Sequence, residues 1–417
     1  MVVGDTIAAI ATAPGRGGVS VVRVSGSEAF GMAERLTGIK EKSAGIRIGR
    51  IANVDEGIIL FFKAPHSYTG EDVVEFQCHG GIVTPRRVLE ACLAAGARLA
   101  RRGEFTERAF LNGKIDYSQA EAVLDLIDAK TARAADAALE GLAGRRRRTC
   151  RALYEQALDL STRLEHALDI DESELPTDFL SSVNSQLSTL NSQLRDAISK
   201  AAEGRLLNRG ALVVLAGPPN AGKSSLMNAL LDENRAIVSD VPGTTRDSIE
   251  AWIDLDGWPI RLTDTAGLRA TKDEVESEGV KRTEELLSKA DVVIWLSTPS
   301  PLVPHPSSIL IHAKCDLGRG EGLNVSAKTG EGLDELRRAI VAKLEEKIVS
   351  SDDGDIPEGD AVAYHEALAA LDSVDGADLL LTANAARNVA ERLGAALGAT
   401  YSADLLDNLF SRFCVGK

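Results

Sequence analysis

Apolar residues follow four successive patterns along this chain. Residues 1–116 carry short apolar runs, Ile7–Ala11, Val19–Val24, Ile58–Phe62 and Val73–Cys78, set apart by Gly, Pro and Ser. Such runs between turn formers predict strands, and the stretch reads as an α+β domain. Residues 117–207 are rich in Ala, Leu and Glu. Ala120, Val123, Leu124 and Ile127 fall at i, i+3, i+4 and i+7, and Leu153, Ala157, Leu160 and Leu164 keep helical spacing. An apolar stripe with that period predicts amphipathic helices. Residues 208–346 alternate helix-like segments with buried-strand runs, Ala211–Ala216 and Val292–Leu296 among them. Alternation of this kind predicts a doubly wound parallel sheet. Residues 361–400 return to Ala/Leu helix, with Val389, Leu393 and Leu397 on one stripe. The polar, turn-rich segment Ser350–Asp360 reads as an exposed connection.

These patterns predict a multidomain α/β plus α protein. An N-terminal α+β domain covers 1–116. A helical domain is assembled from two chain segments, 117–207 and 347–417. A doubly wound α/β domain, 208–346, is inserted between them. The length of 417 residues agrees, being too great for one compact core.

Composition narrows the class. Apolar residues make up 44% and charged residues 26%, ordinary values for a soluble globular protein. No run of 18 apolar residues predicts a membrane span, and the start has no basic segment leading into an apolar one, so no secretion signal is expected. Cys78, Cys92, Cys150, Cys315 and Cys414 form no CxxC pair. Neither a zinc site nor a disulfide framework is indicated, and a reducing, cytoplasmic setting fits. The net charge of −15 disfavours loose, charge-driven binding to nucleic acid. The basic run Arg145–Arg148 reads as a solvated helix end.

One segment carries specific chemistry. Gly217-Pro-Pro-Asn-Ala-Gly-Lys-Ser224 fits G-x-x-x-x-G-K-[ST], with a strand-like run before it and a helix-like run, Leu226–Leu231, after it. Gly217 and Gly222 let the backbone turn so that N–H groups face phosphate oxygens. The helix N-terminus adds partial positive charge. Lys223 reaches the outer phosphates, and the Ser224 hydroxyl suits Mg²⁺. Downstream, an apolar run ends in Asp264, followed by Thr265, Ala266 and Gly267. This suits a magnesium-side carboxylate and a glycine that senses the γ-phosphate. Between them, Gly243-Thr-Thr-Arg-Asp247 offers a threonine that closes on Mg²⁺ only when γ-phosphate is present, a switch. Asp316 of Ala313-Lys-Cys-Asp316 suits the guanine N1–H and exocyclic amine. Lys314 would lie along the ring, and Ser326, Ala327 and Lys328 would add contacts to the guanine oxygen. Together these favour GTP over ATP.

The ordered set GxxxxGKS, TT, DTAG, xKxD and SAK resembles the translation-factor-like branch of GTPases. Other motifs narrow the resemblance. Pro14-Gly-Arg-Gly-Gly-Val-Ser-Val-Val-Arg-Val-Ser-Gly26, Thr69-Gly-Glu-Asp-Val-Val-Glu-Phe-Gln-Cys-His-Gly-Gly81, Gly103-Glu-Phe-Thr-Glu-Arg-Ala-Phe-Leu-Asn112 and the terminal Phe413-Cys-Val-Gly-Lys417 resemble the MnmE (TrmE) family of tRNA-modification GTPases. The likeness spans nearly the whole chain. It implies a Ras-like G domain at 208–346 and a homodimer formed through an N-terminal domain that binds a tetrahydrofolate one-carbon derivative (5-formyl or 5,10-methylene). It also implies a partner, the flavoprotein MnmG (GidA), in a heterotetramer. The complex adds an aminomethyl-type group, such as carboxymethylaminomethyl, to C5 of the wobble uridine of certain tRNAs.

Residue by residue, the resemblance places folate contacts on Arg23, Glu75, Lys114 and Lys417. It places nucleotide contacts on Asn220, Ala221, Gly222, Lys223, Ser224 and Ser225, then on Ser239, Asp240, Val241, Pro242, Gly243, Thr244 and Thr245. Mg²⁺ would be held by Ser224 and Thr245. A K⁺ ion would be held by Asn220, Ser239, Val241 and Thr244, neutralising charge between the phosphates as an arginine finger would. Leu268 stands where Ras-like enzymes carry the water-orienting glutamine, so another group must act there. The family points to Glu276; by spacing alone it is one acid among Asp273, Glu274 and Glu278. Cys414 matches a family cysteine that modification requires and hydrolysis does not. A small buried apolar role is the ordinary alternative for a free cysteine, and Phe410, Phe413 and Val415 would anchor the tail around it.

Two departures stand out. Ala313 replaces the usual base-loop asparagine, which should loosen guanine binding without reversing its specificity. The Pro-rich stretch Ser297–Pro304 leaves scant room for a helix between Leu296 and Ile309. Three functional classes fit at this stage: an MnmE-type modification GTPase, a regulatory GTPase switch without covalent chemistry, and a folate-dependent one-carbon transferase with a regulatory G domain.

Overall fold

A computed structural model of the chain describes residues 5–171, 174–233, 250–264, 276–296, 305–349, 360–374, 378–398, 406 and 409–417. Side chains of 232, 233, 250, 276–282 and 360 fall outside the description. The chain divides into two compact units, one formed by Met1–Leu124 with Thr400–Lys417 and the other by Asp125–Ala399.

The first unit is built on a six-stranded sheet. Its elements are β1 (Ile7–Ile10), β2 (Val19–Ser25), α1 (Ala29–Thr37), β3 (Gly45–Ile51), β4 (Asp55–Phe62), β5 (Val73–His79), α2 (Val83–Ala94), β6 (Arg98–Leu99), α3 (Glu104–Leu111) and α4 (Tyr117–Asp128). The strand order is β3-β4-β5-β2-β1-β6. Successive strand residues face opposite sides, so β1 serves two cores. Ala8 joins Val22, Met32, Phe61, Phe76 and Val88 on one face. Ile7 and Ala9 join Ala100 and Phe105 on the other. Strand β3 was not legible from apolar runs: Ile46 and Ile48 alternate with Gly and Arg and are 66% and 74% exposed. The helical stripe in α4 needs one correction. Ala120, Val123 and Leu124 are buried, but Ile127 is 47% exposed, because α4 ends one residue later.

The second unit joins a helical bundle to a mixed sheet. Its elements are α5 (Ala132–Leu142), α6 (Arg145–Leu168), α7 (Phe179–Arg209), β7 (Ala211–Ala216), α8 (Lys223–Glu233), β8 (Glu250–Leu255), β9 (Trp258–Asp264), α9 (Glu276–Lys289), β10 (Val292–Leu296), β11 (Ser308–Ala313), β12 (Leu323–Val325), α10 (Leu333–Val349), α11 (Asp360–Asp372) and α12 (Leu379–Gly398). The sheet runs β12-β11-β10-β7-β9-β8. All neighbours are parallel except β8 and β9, so the expected parallel sheet carries one antiparallel edge hairpin. Strand β7 is buried along its whole length, as a central parallel strand covered on both faces must be. In the bundle, Leu153, Ala157, Leu190, Leu194, Ala367, Val389 and Leu393 share one core. Leu160 and Leu164 continue their stripe into a second cluster with Val183, Ala383 and Ala386.

Residue Gly210 separates α7 from β7 with φ 73°. The sheet therefore enters directly from the longest bundle helix and leaves through α10. Between β10 and β11, residues 297–304 lie outside the described residues, and 306–307 form a turn. The segment 350–359, read as an exposed connection, also lies outside them. The basic run begins α6, with Arg145, Arg147 and Arg148 exposed. Among the described residues no helix is long and apolar enough to cross a membrane.

Candidate functional site: a nucleotide cradle and a seated C-terminal tail

Strand β7 ends and α8 begins at the phosphate-type loop. Gly217 and Gly222 have φ of 150° and 102°, and Asn220 takes a left-handed φ of 62°. Lys223 is 6% exposed. Its Nζ donates to the carbonyls of Gly217 and Pro218, each at 2.9 Å. The loop thus curls around the amine, which lies where it can meet an anion entering the turn. Ser224 and Ser225 are exposed on the first turn of α8.

Parallel pairing sets Leu215 of β7 against Asp264, the last residue of β9. That register brings the Ser224 hydroxyl to Asp264 Oδ2 at 2.8 Å. A hydroxyl and a carboxylate are hard oxygen donors that fit Mg²⁺, which keeps most of its ligands as water and phosphate oxygens. Among the described residues no group of three or more His, Cys, Asp or Glu is placed to hold a metal ion. Ser239, Asp240, Val241, Pro242, Gly243, Thr244, Thr245, Thr265, Ala266, Gly267 and Leu268 lie outside the described residues, as does the side chain of Glu276. The backbone of Glu276 opens α9.

The base loop follows β11. Lys314 has φ 63° and its Nζ donates to the Asn220 carbonyl at 3.0 Å. Ser326 is fully buried and its hydroxyl donates to Asp316 Oδ1 at 2.8 Å. The Thr329 amide donates to the same hydroxyl at 3.3 Å. This orients the Asp316 carboxylate. Ala327 is half-buried and Lys328 exposed in the adjoining turn. Ala313 packs against the sheet core and brings no polar group. The tie between base loop and phosphate loop therefore falls to Lys314.

A second constellation lies in the first unit. Register pairs Arg23 of β2 with Glu75 of β5, and Arg23 Nε donates to Glu75 Oε1 at 2.7 Å. Arg23 Nη1 also donates to the Gly416 carbonyl at 3.4 Å. Its guanidinium stands 5.5 Å from the Tyr68 ring centre and 5.6 Å from that of Phe105. Lys417 Nζ is 5.9 Å from the same Tyr68 ring. Burial, helped by the Arg23 charge and opposed by Glu75, holds the Lys417 amine below its ordinary value. Tyr68 and Phe105 were not singled out from sequence: Tyr68 stands just before the Thr69–Gly81 motif, and Phe105 lies within Gly103–Asn112 with nothing local to mark its ring as a contact. Lys114 instead donates to the Pro65 carbonyl at 3.0 Å, in the loop that leads to Tyr68.

The tail earns its order through backbone as well as side chains. Phe410 and Phe413 are buried, 4% and 1% exposed, with ring centres 6.1 Å apart. Val415 is not the apolar anchor expected of it. It is 43% exposed and is held by a β-bridge to Arg102. Gly416 has φ 108°, and a Cβ there would collide with the Ile10 carbonyl oxygen and stand 2.9 Å from the Ala11 Cα. Cys414 is exposed while Cys78, Cys92, Cys150 and Cys315 are buried. The small buried role is thereby excluded for Cys414.

Comparison with known proteins gives the family. The family of the GTP-binding protein TrmE N-terminus matches residues 6–114, and the MnmE helical domain family matches residues 117–414. A tRNA modification GTPase MnmE from Symbiobacterium thermophilum is 41% identical, covering 99% of this chain and 99% of that protein. One from Dichelobacter nodosus is 41% identical and covers 100% of each. Among solved structures, the G domain of the T. maritima FeoB iron transporter is 26% identical, covering 32% of this chain and 98% of that one, with a TM-score of 0.24. With one family match covering more than half its length, and full-length relatives at this identity, the chain belongs to the MnmE family of tRNA modification GTPases.

Proposed function

We propose that this chain hydrolyses GTP to drive modification of the wobble uridine of tRNA, as a homodimer working with the flavoprotein MnmG and a tetrahydrofolate one-carbon derivative. The observation that carries the reading is the pairing, within one chain, of a nucleotide cradle with an exposed Cys414 beside a cationic, aromatic-lined site.

In the cradle, Lys223 exchanges the carbonyls of Gly217 and Pro218 for the outer phosphate oxygens. Mg²⁺, when bound, neutralises charge on those oxygens; Ser224 is placed to hold it, with Thr245 closing from the switch and Asp264 behind. Asp316, oriented by Ser326, accepts from the guanine edge. K⁺, when bound, supplies the positive charge an arginine finger would; Asn220, already in a left-handed turn, is its phosphate-loop ligand, with Ser239, Val241 and Thr244. Leu268 has no polar atom to orient water, and Glu276 takes that role. GTP hydrolysis is then expected to run at least about tenfold faster in KCl than in NaCl. Equal rates would remove K⁺ from the scheme.

Replacing Glu276 with Ala should cut hydrolysis by about 10²–10⁴-fold, the usual worth of a positioned acid–base group, with GTP affinity near normal. A matching loss of affinity would make Glu276 structural instead.

In the first unit, Arg23 and Lys417 offer positive charge and Tyr68 and Phe105 offer ring faces. That donor set fits a flat heterocycle with an anionic tail, as tetrahydrofolate is, with Lys114 at the margin. The test of the whole reading is nucleoside analysis of tRNA from a strain lacking the gene. Wobble uridines lacking the C5 substituent support it; unaltered modification overturns it.

A further inference from the structure

The β8–β9 hairpin joins the two switch-bearing parts of the nucleotide site. Its first strand follows the segment that holds Thr245, and its second ends at Asp264. The hairpin turns on Asp256 and Gly257, whose φ values are 50° and 86°. Two central residues with positive φ, in the sequence Asp-Gly, mark a tight two-residue turn whose twist matches the strands. The Asp254 carboxylate accepts from the Gly257 amide at 2.7 Å and stiffens it.

The far end of this hairpin overhangs the sheet. Strand β9 pairs with β7 only from Ile260 to Asp264, while Trp258 and Pro259 pair only with Leu255 and Asp254 of β8. The overhang rests on α5. The Thr131 hydroxyl donates to the Gly257 carbonyl at 2.7 Å. The same oxygen caps α5 by accepting from the Ala134 amide at 3.2 Å. The Arg133 guanidinium lies 4.1 Å from the ring centre of Trp258, which is fully buried. The approach is close: a Cβ on Gly257 would stand 3.0 Å from the Arg133 Cβ. Arg133 Nη2 in turn donates to Glu203 Oε1 of α7 at 2.6 Å. At about 3.3 Å per residue, β9 carries this seat about 20 Å from Asp264.

A paired strand is stiff along its length. A shift of Asp264 toward or away from a metal-bound phosphate is therefore passed along β9 to its other end. There the helix cap and the buried tryptophan face register it. The rest of the sheet has a separate anchor. Fully buried Asp291 accepts from Arg209 of α7 at 2.7 Å, from Lys347 of α10 at 2.8 Å and from the Leu212 amide at 2.8 Å. The sheet centre is held to its entry and exit helices, while the edge hairpin has its own contact with α5.

We propose that Thr131 and Arg133 are positioning residues that pass the nucleotide state from Asp264, through the β8–β9 turn, to the helical bundle. The proposal rests on the reading that nucleotide acts at Lys223, Ser224 and Asp264, and its test keeps the two apart. Amide hydrogen exchange of α5 is measured on the full-length chain with GDP and with a non-hydrolysable GTP analogue. Wild-type exchange in the first turn of α5 should differ by about threefold or more between the two nucleotides, as local opening there follows the cap. Thr131→Val with Arg133→Met should abolish that difference, and Thr131→Ser, which keeps the hydroxyl, should restore it. The double variant should hold GTP affinity and hydrolysis within about twofold of wild type while tRNA modification falls by about tenfold or more. If the double variant fails to fold, Thr131→Val alone is read in the same way. The proposal is overturned if wild-type exchange is identical with the two nucleotides, if the variant keeps the difference, or if hydrolysis and modification fall together. A wild-type chain that binds neither nucleotide in the accompanying titration overturns the nucleotide reading itself.

Discussion

Cys414→Ser is expected to abolish tRNA modification and leave GTP hydrolysis unchanged. The thiol is exposed on a tail whose neighbours are tightly held, so its loss removes a reactive group without opening a cavity. Serine is close in size but is a far weaker nucleophile at neutral pH, because almost none of it ionises. The measurement is nucleoside analysis of tRNA from cells carrying the variant, beside hydrolysis by the purified protein. Retained modification would assign Cys414 no chemical part. Gly416→Ala should give the same split by a different route. A methyl group at Gly416 meets the Ile10 carbonyl, and φ 108° is strained for any side chain, so the tail must leave its seat. Modification should fall by about tenfold or more, since a misplaced group of this kind loses orientation more than it loses the fold. Unaltered modification would show that the seat is not needed.

The second large effect is expected from Lys223→Ala. Charge-assisted hydrogen bonds are worth about 1.5–3 kcal/mol each, and the buried amine is placed to make more than one with phosphate oxygens. GTP affinity should fall by about 10²-fold or more by titration calorimetry. Hydrolysis at saturating GTP should fall further, because the amine also faces charge that grows in the transition state. Folding should survive, since in the protein alone the amine donates to two loop carbonyls that lie near solvent. A variant that binds GTP normally would remove Lys223 from the site.

The sites differ in how much of them could be read from sequence. The nucleotide cradle is local. Gly217 to Ser224 is one strand–turn–helix, and its chemistry follows from residue types at fixed spacing. Its longer reach from Ser224 to Asp264 depends on the register of parallel strands with evident apolar runs, whereas that from Asp316 to Ser326 depends on β11 and β12, which are only partly buried. The constellation around Arg23 is different. Its basic residues come from positions 23 and 417, and its aromatic rings from 68 and 105, with no pattern linking them. Only the resemblance brought Arg23, Glu75 and Lys417 together, and it assigned no contact to Tyr68 or Phe105.

Strands β7 and β10 were legible to the residue because buried parallel strands read as unbroken apolar runs. Strand β3 was not, because both of its faces meet solvent and its isoleucines alternate with Gly and Arg. The exposure of Ile127 and Val415 was likewise invisible. Helical period and apolar character say which face can be buried, but not where the covering element stops.

By itself, then, the sequence determined the phosphate-loop motif, the insertion of an α/β domain into a helical one, and, through its motifs, the resemblance to the family. The first two rest on short-range spacing and on periodicity, and the third on the likeness of its motifs, none of which needs tertiary contacts. Only the tertiary structure decided that Cys414 is exposed, that Lys314 ties the base loop to the phosphate loop where Ala313 lacks an amide, and that the β8–β9 turn rests on Thr131 and Arg133. Each of these depends on which distant backbone passes within contact distance, and that is set by packing across the whole unit rather than by any local pattern.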